Sequence, residues 1–252
     1  MNCQFRVKLF ALCLLALLPF IHTRTISFTN RCSQTVWVGS LGSEIPLQGG
    51  WTLEPSQSNS IQLPDDRDWS GRFWGRTGCK FDASGQGFCE TGDCGGKLQC
   101  NGAGGVPPAS LAEFTLNNSG GLDFYDVSLV DGYNLPISIE SDQPKSSDPY
   151  HCGTPSCVSD LNQNCPQELQ DTIGGRVVAC LSACEKFNTD RYCCRGLYST
   201  RATCPPSNYS VIFKTACPGA YSYAYDDPTS TFTCSKSNYA ITFCPNAQLI
   251  EY

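Results

Sequence analysis

The chain has 252 residues, 40% hydrophobic and 16% charged, with 23 acidic residues against 17 basic ones and a net charge of −6. That balance argues against a nucleic-acid binder, which needs phosphate-neutralising Lys and Arg, and against anionic membranes as a primary partner. Eighteen cysteines beside two histidines point to a cross-linked scaffold rather than to histidine chemistry.

The start, Met1-Asn-Cys-Gln-Phe-Arg6-Val-Lys8, is basic and is followed by an apolar run from Leu9 to Ile21. This predicts a secretory signal peptide over residues 1–23, cut near Thr23. The run is too short to span a bilayer, where about 20 residues are needed, so no integral membrane segment is expected. Cleavage would remove Cys3, Cys13, Arg6 and Lys8, leaving 16 cysteines and a net charge of −8. An even, dense set of cysteines in an oxidising compartment reads as disulfides. The expected product is secreted, extracellular and monomeric.

Alternating apolar and polar residues predict strands at Thr25–Asn30, Thr35–Val38 and Ser60–Leu63, punctuated by Gly49, Gly50 and Pro55. Trp69–Arg76 reads as an aromatic strand leading into a glycine- and cysteine-rich loop. Leu111–Leu116 and Leu122–Val130, joined by Asn117-Asn-Ser-Gly-Gly121, give a hairpin signal, and Leu135–Ile139 is a further strand. The polar segment from Glu140 to Asp148 marks a boundary. From Cys152 to Cys217 alternation fades, and Val177, Leu181, Cys184 and Phe187 predict a helix over Arg176–Asn188. The β pattern returns at Tyr209–Phe213, Thr231–Thr233 and Tyr239–Phe243. Many short strands with turn punctuation predict a mainly β sandwich or barrel, its last strands pairing back onto the first.

Histidine chemistry has little to work with, because only His151 survives processing and it adjoins Cys152. No metal site and no cofactor are expected once the thiols are bridged. Carboxylates remain. The hairpin would place Glu113 and Asp126 across a strand pair, where like charges repel and their protons become coupled, with Arg72 as an offsetting cation. The competing reading is solvated charge on an outer sheet face. Asn117-Asn-Ser119, in a predicted turn, and Asn208-Tyr-Ser210 are glycosylation acceptors in a secreted chain.

The loop Gly85-Gln-Gly-Phe-Cys89-Glu-Thr-Gly-Asp93-Cys94-Gly-Gly-Lys-Leu-Gln-Cys100 sets three cysteines among five glycines. Spacing alone admits a zinc knuckle, but the secretory context favours a disulfide-stapled loop. The order of residues resembles the signature of plant thaumatin-like, or pathogenesis-related class 5, proteins, within the glycoside hydrolase family 64/thaumatin-like superfamily.

That resemblance implies a flattened antiparallel β-sandwich with two disulfide-rich lobes, one carrying a short α-helix. The core would be residues 24–76, 106–151 and 217–252, the small loop lobe 77–105, and the helical lobe 152–216. It implies the pairs Cys32–Cys244, Cys79–Cys89, Cys94–Cys100, Cys152–Cys234, Cys157–Cys217, Cys165–Cys180, Cys184–Cys193 and Cys194–Cys204. It also implies an acidic cleft of one Arg, one Glu and three Asp. Arg72, Glu113, Asp126 and Asp131 match the motifs, and the last aspartate is Asp226 or its neighbour Asp227, with Asp226 favoured. Gly219 stands where many relatives have aspartate.

Three functions follow from the resemblance and the residues. The first is an antifungal defence protein that binds β-1,3-glucan of fungal walls through the cleft. The second is a weak endo-β-1,3-glucanase, with Glu113 as the acid, its pKa raised by neighbouring carboxylates, and Asp126 or Asp131 as base or nucleophile. The third is an inhibitor acting through the cysteine-rich lobe. Phe73, Trp74, Phe124, Tyr125, Tyr223 and Tyr225 are candidate stacking faces for sugar rings.

Overall fold

The computed structural model describes residues 23–65 and 67–246. The expected leader, residues 1–23, lies outside the described residues except for Thr23, which opens β1. The chain opens with β1 (Thr23–Asn30), β2 (Val36–Gly42), β3 (Gly50–Leu53), β4 (Ser58–Pro64) and β5 (Trp69–Arg76). The small lobe carries β6 (Lys80–Phe81) and β7 (Gly87–Phe88). The sandwich resumes with β8 (Leu111–Asn118), β9 (Leu122–Ser128) and β10 (Ile137–Ser141). β11 (Ser156–Cys157), within the span expected for the helical lobe, instead joins the sandwich beside β10, and the second lobe holds β12 (Gln170–Ile173), β13 (Arg176–Cys180) and helices α1 (Ala183–Phe187), α2 (Asp190–Cys193) and α3 (Asn208–Ala216). The chain returns through β14 (Ala220–Tyr221), β15 (Phe232–Cys234) and β16 (Tyr239–Phe243).

Two sheets face each other. One runs β11-β10-β16-β1-β4, the other β14-β9-β8-β5-β2-β3 with β15 beside β9. The alternation of β1 explains its place: Ile26 and Phe28 are fully buried while Thr25, Ser27 and Thr29 face outward. β16 pairs parallel to β1, Ile26 opposite Tyr239, so the last strand does close onto the first. Between the sheets an aromatic run carries the packing: Phe28–Phe73 at 5.0 Å, Phe114–Tyr239 at 5.3 Å and Tyr125–Tyr239 at 4.9 Å between ring centroids. Arg24 of β1, 3% exposed, pairs with Asp123 of β9 across the sandwich, and the Tyr239 hydroxyl donates to Asp123 at 2.8 Å.

Eight disulfides join the same pairs that the resemblance implied. Cys32–Cys244 fastens the β1–β16 neighbourhood across a sequence separation of 212. In the small lobe, Gly85, Gly92, Gly95 and Gly96 all lie at positive φ, which a side chain would oppose. Asp93 holds their turn, accepting from the backbone N–H groups of Cys89, Gly95 and Gly96 at 3.0, 3.0 and 2.7 Å. Among the described residues no helix is long and apolar enough to cross a membrane.

Two expected elements differ. Tyr209–Phe213 is not a strand but the body of α3. Ser207 caps that helix, its hydroxyl accepting from the Ser210 N–H, and Ser210 reciprocates toward the Ser207 N–H at 2.8 Å. The buried face is Ser210, Phe213 and Cys217, at helical spacing, while Val211 and Ile212 point outward. The helix expected over Arg176–Asn188 is split. Gly174 and Gly175, both at positive φ, turn β12 into β13, so Arg176–Cys180 is a strand. Only Ala183–Phe187 is helical, capped by Ser182 and ended by Asn188 in the left-handed region.

Candidate functional site

The outer face of the larger sheet carries one cross-strand row. Antiparallel register sets Arg72 of β5 opposite Glu113 of β8, and Glu113 opposite Asp126 of β9. Alternation turns their neighbours Phe73, Phe114 and Tyr125 into the core, so the polar row faces outward. Asp131, just past β9, reaches back to Arg72 at 3.5 Å. β14 runs parallel to β9, with Tyr221 opposite Ser128, and brings Tyr221 and Asp227 to the same side. Gly104 of the small lobe leaves room for the Arg72 guanidinium: a Cβ there would stand 3.1 Å from Nη2.

The row lies at the junction of two adjoining depressions. One, of about 360 Å³, is polar and includes Asp131, Ser128, Tyr221 and Asp227. The other, of about 510 Å³, is walled by Leu41, Ser70, Thr115 and Phe124. Both are lined by Arg72, Glu113 and Asp126. The result is one groove with a charged half and a half of hydroxyl, aromatic and aliphatic groups.

Burial raises the pKa of Glu113. Asp131 adds to the rise, while Arg72 and a hydrogen bond from Ser128 oppose it. The expected cause, carboxylate neighbours, is therefore secondary to desolvation. Asp126 is pushed well above the ordinary carboxylate range, first by burial and then by Glu113 and Asp227. Its Oδ1 is buried without a hydrogen-bond partner. This environment favours a protonated Asp126, which suits a donor and opposes its expected role as base or nucleophile.

The favoured choice between the two adjacent aspartates is corrected. Asp226 is turned inward: its Oδ2 accepts from the Ser222 N–H and hydroxyl and pairs with Lys214 at 3.0 Å. Asp227 lines the groove, accepts from the Tyr221 hydroxyl at 3.1 Å and pairs with Arg201. The aromatic candidates also divide. Phe73, Trp74 and Tyr125 are fully buried and offer no face to a ligand. Phe124 lines the groove, Tyr223 lines two smaller depressions beside α3, and the Tyr225 hydroxyl donates to the Ser199 carbonyl.

Three further residues reach the groove or its acids: Tyr221 and Ser128 line it, and Arg201 pairs with Asp227. Ser128 continues the alternation from Asp126 and was open to that inference; Tyr221 and Arg201 come from distant segments and left no local signal. Of the two sequons, Asn208 is exposed at the start of α3. Asn117 lies within β8 rather than in the turn, half-buried, its N–H donating to Asp123. His151 is half-buried and bridges to Thr233.

A sandwich bearing two disulfide lobes and an outward carboxylate row defines a recognisable class. A thaumatin family profile matches residues 30–245, and the chain belongs to that family. It is 59% identical to pathogenesis-related protein 5 of Arabidopsis thaliana, over 86% of this chain and 88% of that one. It is 54% identical to a glucan endo-1,3-beta-glucosidase of Prunus avium, over 89% of this chain and 91% of the other. A laminaripentaose-producing β-1,3-glucanase of Paenibacillus barengoltzii shares the fold at TM-score 0.51 and 12% identity, covering 88% and 76% of the two chains.

Proposed function

We propose that the groove binds an uncharged β-1,3-glucan of fungal walls, and that the protein serves outside the cell in plant defence against fungi. The observation that carries this reading is the Arg72–Glu113–Asp126 row at the meeting point of the two depressions. Sugar hydroxyls need donors and acceptors side by side, and the row supplies both: a guanidinium, a carboxyl driven toward its protonated form and the Ser128 hydroxyl. Phe124 gives the less polar half an aromatic surface for a pyranose C–H face. The named relatives among plant defence proteins and glucanases support the same ligand class. Disulfides throughout the described chain suit an oxidising, extracellular setting.

Slow hydrolysis is a second reading, favoured by the environment of Asp126. A carboxyl held protonated beside a solvent-reaching carboxylate is the pairing that glycoside cleavage requires. In this chain Asp126 or Glu113 would donate the proton to the leaving oxygen, and Asp131, 30% exposed, would act from the other side. Calorimetric titration with a β-1,3-linked glucose hexamer tests binding, and reducing-sugar release from the same mixtures tests turnover. Glu113→Gln should weaken binding about tenfold and abolish any turnover. Wild-type affinity in that variant would sink the groove assignment.

A further inference from the structure

We propose that Arg201, in the knuckle closed by Cys194–Cys204, is a specificity-determining residue of the groove: by neutralising Asp227 it makes the groove select uncharged over cationic saccharides. The proposal rests on the glucan reading for the ligand's class but stands on its own geometry.

Four carboxyl groups face the groove, and their charges are disposed of in two ways. Glu113 and Asp126 lie side by side in the sheet with little solvent, a setting that disfavours two simultaneous negative charges. Asp131 and Asp227 reach solvent, and each has its own guanidinium. Arg72 serves Asp131 from the small-lobe side, and Arg201 serves Asp227 from the helical-lobe side. A groove rich in acids by composition is therefore close to neutral as built.

Isolated surface ion pairs contribute little because both side chains wander. Arg201 is restrained. Its Nη1 donates to the Tyr225 carbonyl at 2.9 Å while Nη2 meets Asp227. The Tyr225 hydroxyl in turn donates to Ser199 at 2.5 Å, inside the same knuckle. Asp227 is fixed from its other oxygen by Tyr221. Knuckle and segment 225–227 thus hold one another, and the positive charge stays where the carboxylate is. Without Arg201, Asp227 would present an unbalanced charge next to the acid pair. An ammonium-bearing sugar would gain from that charge; a neutral one would not.

The experiment compares two probes by calorimetry, a β-1,3-linked glucose hexamer and a glucosamine hexamer, the latter at a pH below that of its amines. Wild type should prefer the neutral hexamer. In Arg201→Gln the affinity for the glucosamine hexamer should rise about tenfold and fall again with added salt, since screening acts on exposed charge. Arg201→Lys should restore the wild-type preference, and Arg201→Gln combined with Asp227→Asn should also remove the gain. An unchanged ratio of the two affinities in Arg201→Gln, or a gain that survives Asp227→Asn, overturns the proposal. Should wild type bind neither hexamer while Arg201→Gln binds the cationic one, the glucan reading fails and the role of Arg201 stands.

Discussion

The arginine that ties the small lobe to the sheet, Arg76 of β5, is completely buried, whereas Arg201, which ties the helical lobe to the groove, is half exposed. Arg76 donates to the carbonyls of Trp37 and Val38 on β2 and to those of Lys97 and Leu98 in the lobe, at 2.6 to 3.2 Å. Burial lowers its pKa to about 10, with Asp93 acting in the opposite sense, so it remains charged at neutral pH. Arg201 holds a carboxylate and one carbonyl at the rim. One bank of the groove is thus welded to the sheet through four backbone acceptors drawn from both β2 and the lobe. The other is set by charges that solvent can reach. The small-lobe bank stands beside Arg72; the helical-lobe bank decides how Asp227 is presented.

The contrast can be broken most forcefully at Arg76. Replacing it with Met takes the buried guanidinium away from four carbonyls and should cost about 3 kcal/mol or more, read as a lower urea midpoint. A loss below about 1 kcal/mol would place Arg76 with ordinary surface arginines and erase the distinction between the banks.

Between the banks, the acid pair should make stability depend on pH. Glu113 and Asp126 have raised values in the folded protein, so folded carboxyls hold protons that the unfolded chain releases. Their contribution is fully present below the ordinary carboxylate pKa and is lost as pH rises through the folded values. Asp126→Asn should therefore gain on the order of 1 kcal/mol at neutral pH relative to wild type and little at acid pH. Thermal melts across that range check it; an equal effect at both ends would mean that Asp126 titrates alike in the folded and unfolded chain.

The smallest effect is expected where the lobes touch directly. Arg176 of β13 pairs with Glu90 of the small lobe at 2.6 Å, with the arginine 63% exposed. Arg176→Ala should cost about 0.5 kcal/mol or less and less still in high salt. A larger loss would show the banks braced against each other rather than each against the sheet.

What the sequence made legible follows from periodicity and local chemistry. Alternation locates β1, β8, β9 and β16, the aromatic run Trp69–Arg76 locates β5, and the hairpin signal sets Glu113 beside Asp126. The α3 segment misled because Tyr-Ser-Val-Ile-Phe is short enough to satisfy either period, and the deciding contacts, Ser207 with Ser210, are polar. Asp226 and Asp227 were indistinguishable as neighbours. Lys214, on another element, turns one of them inward. Likewise Phe73, Trp74 and Tyr125 carry the same aromatic surface as Phe124, and only the sheet's facing tells a core ring from an exposed one.

The parallel pairing of β1 with β16 carries a consequence for biogenesis. In the smaller sheet the order β11-β10-β16-β1-β4 puts the strand translated last between two made much earlier. Until residue 243 is available, β1 and β10 each present an open edge, and Cys32 lacks its partner. Completion of this sheet therefore waits on its last-made strand and is closed by the disulfide of widest sequence separation, and a chain stalled before Tyr239 would leave two sticky ribbons.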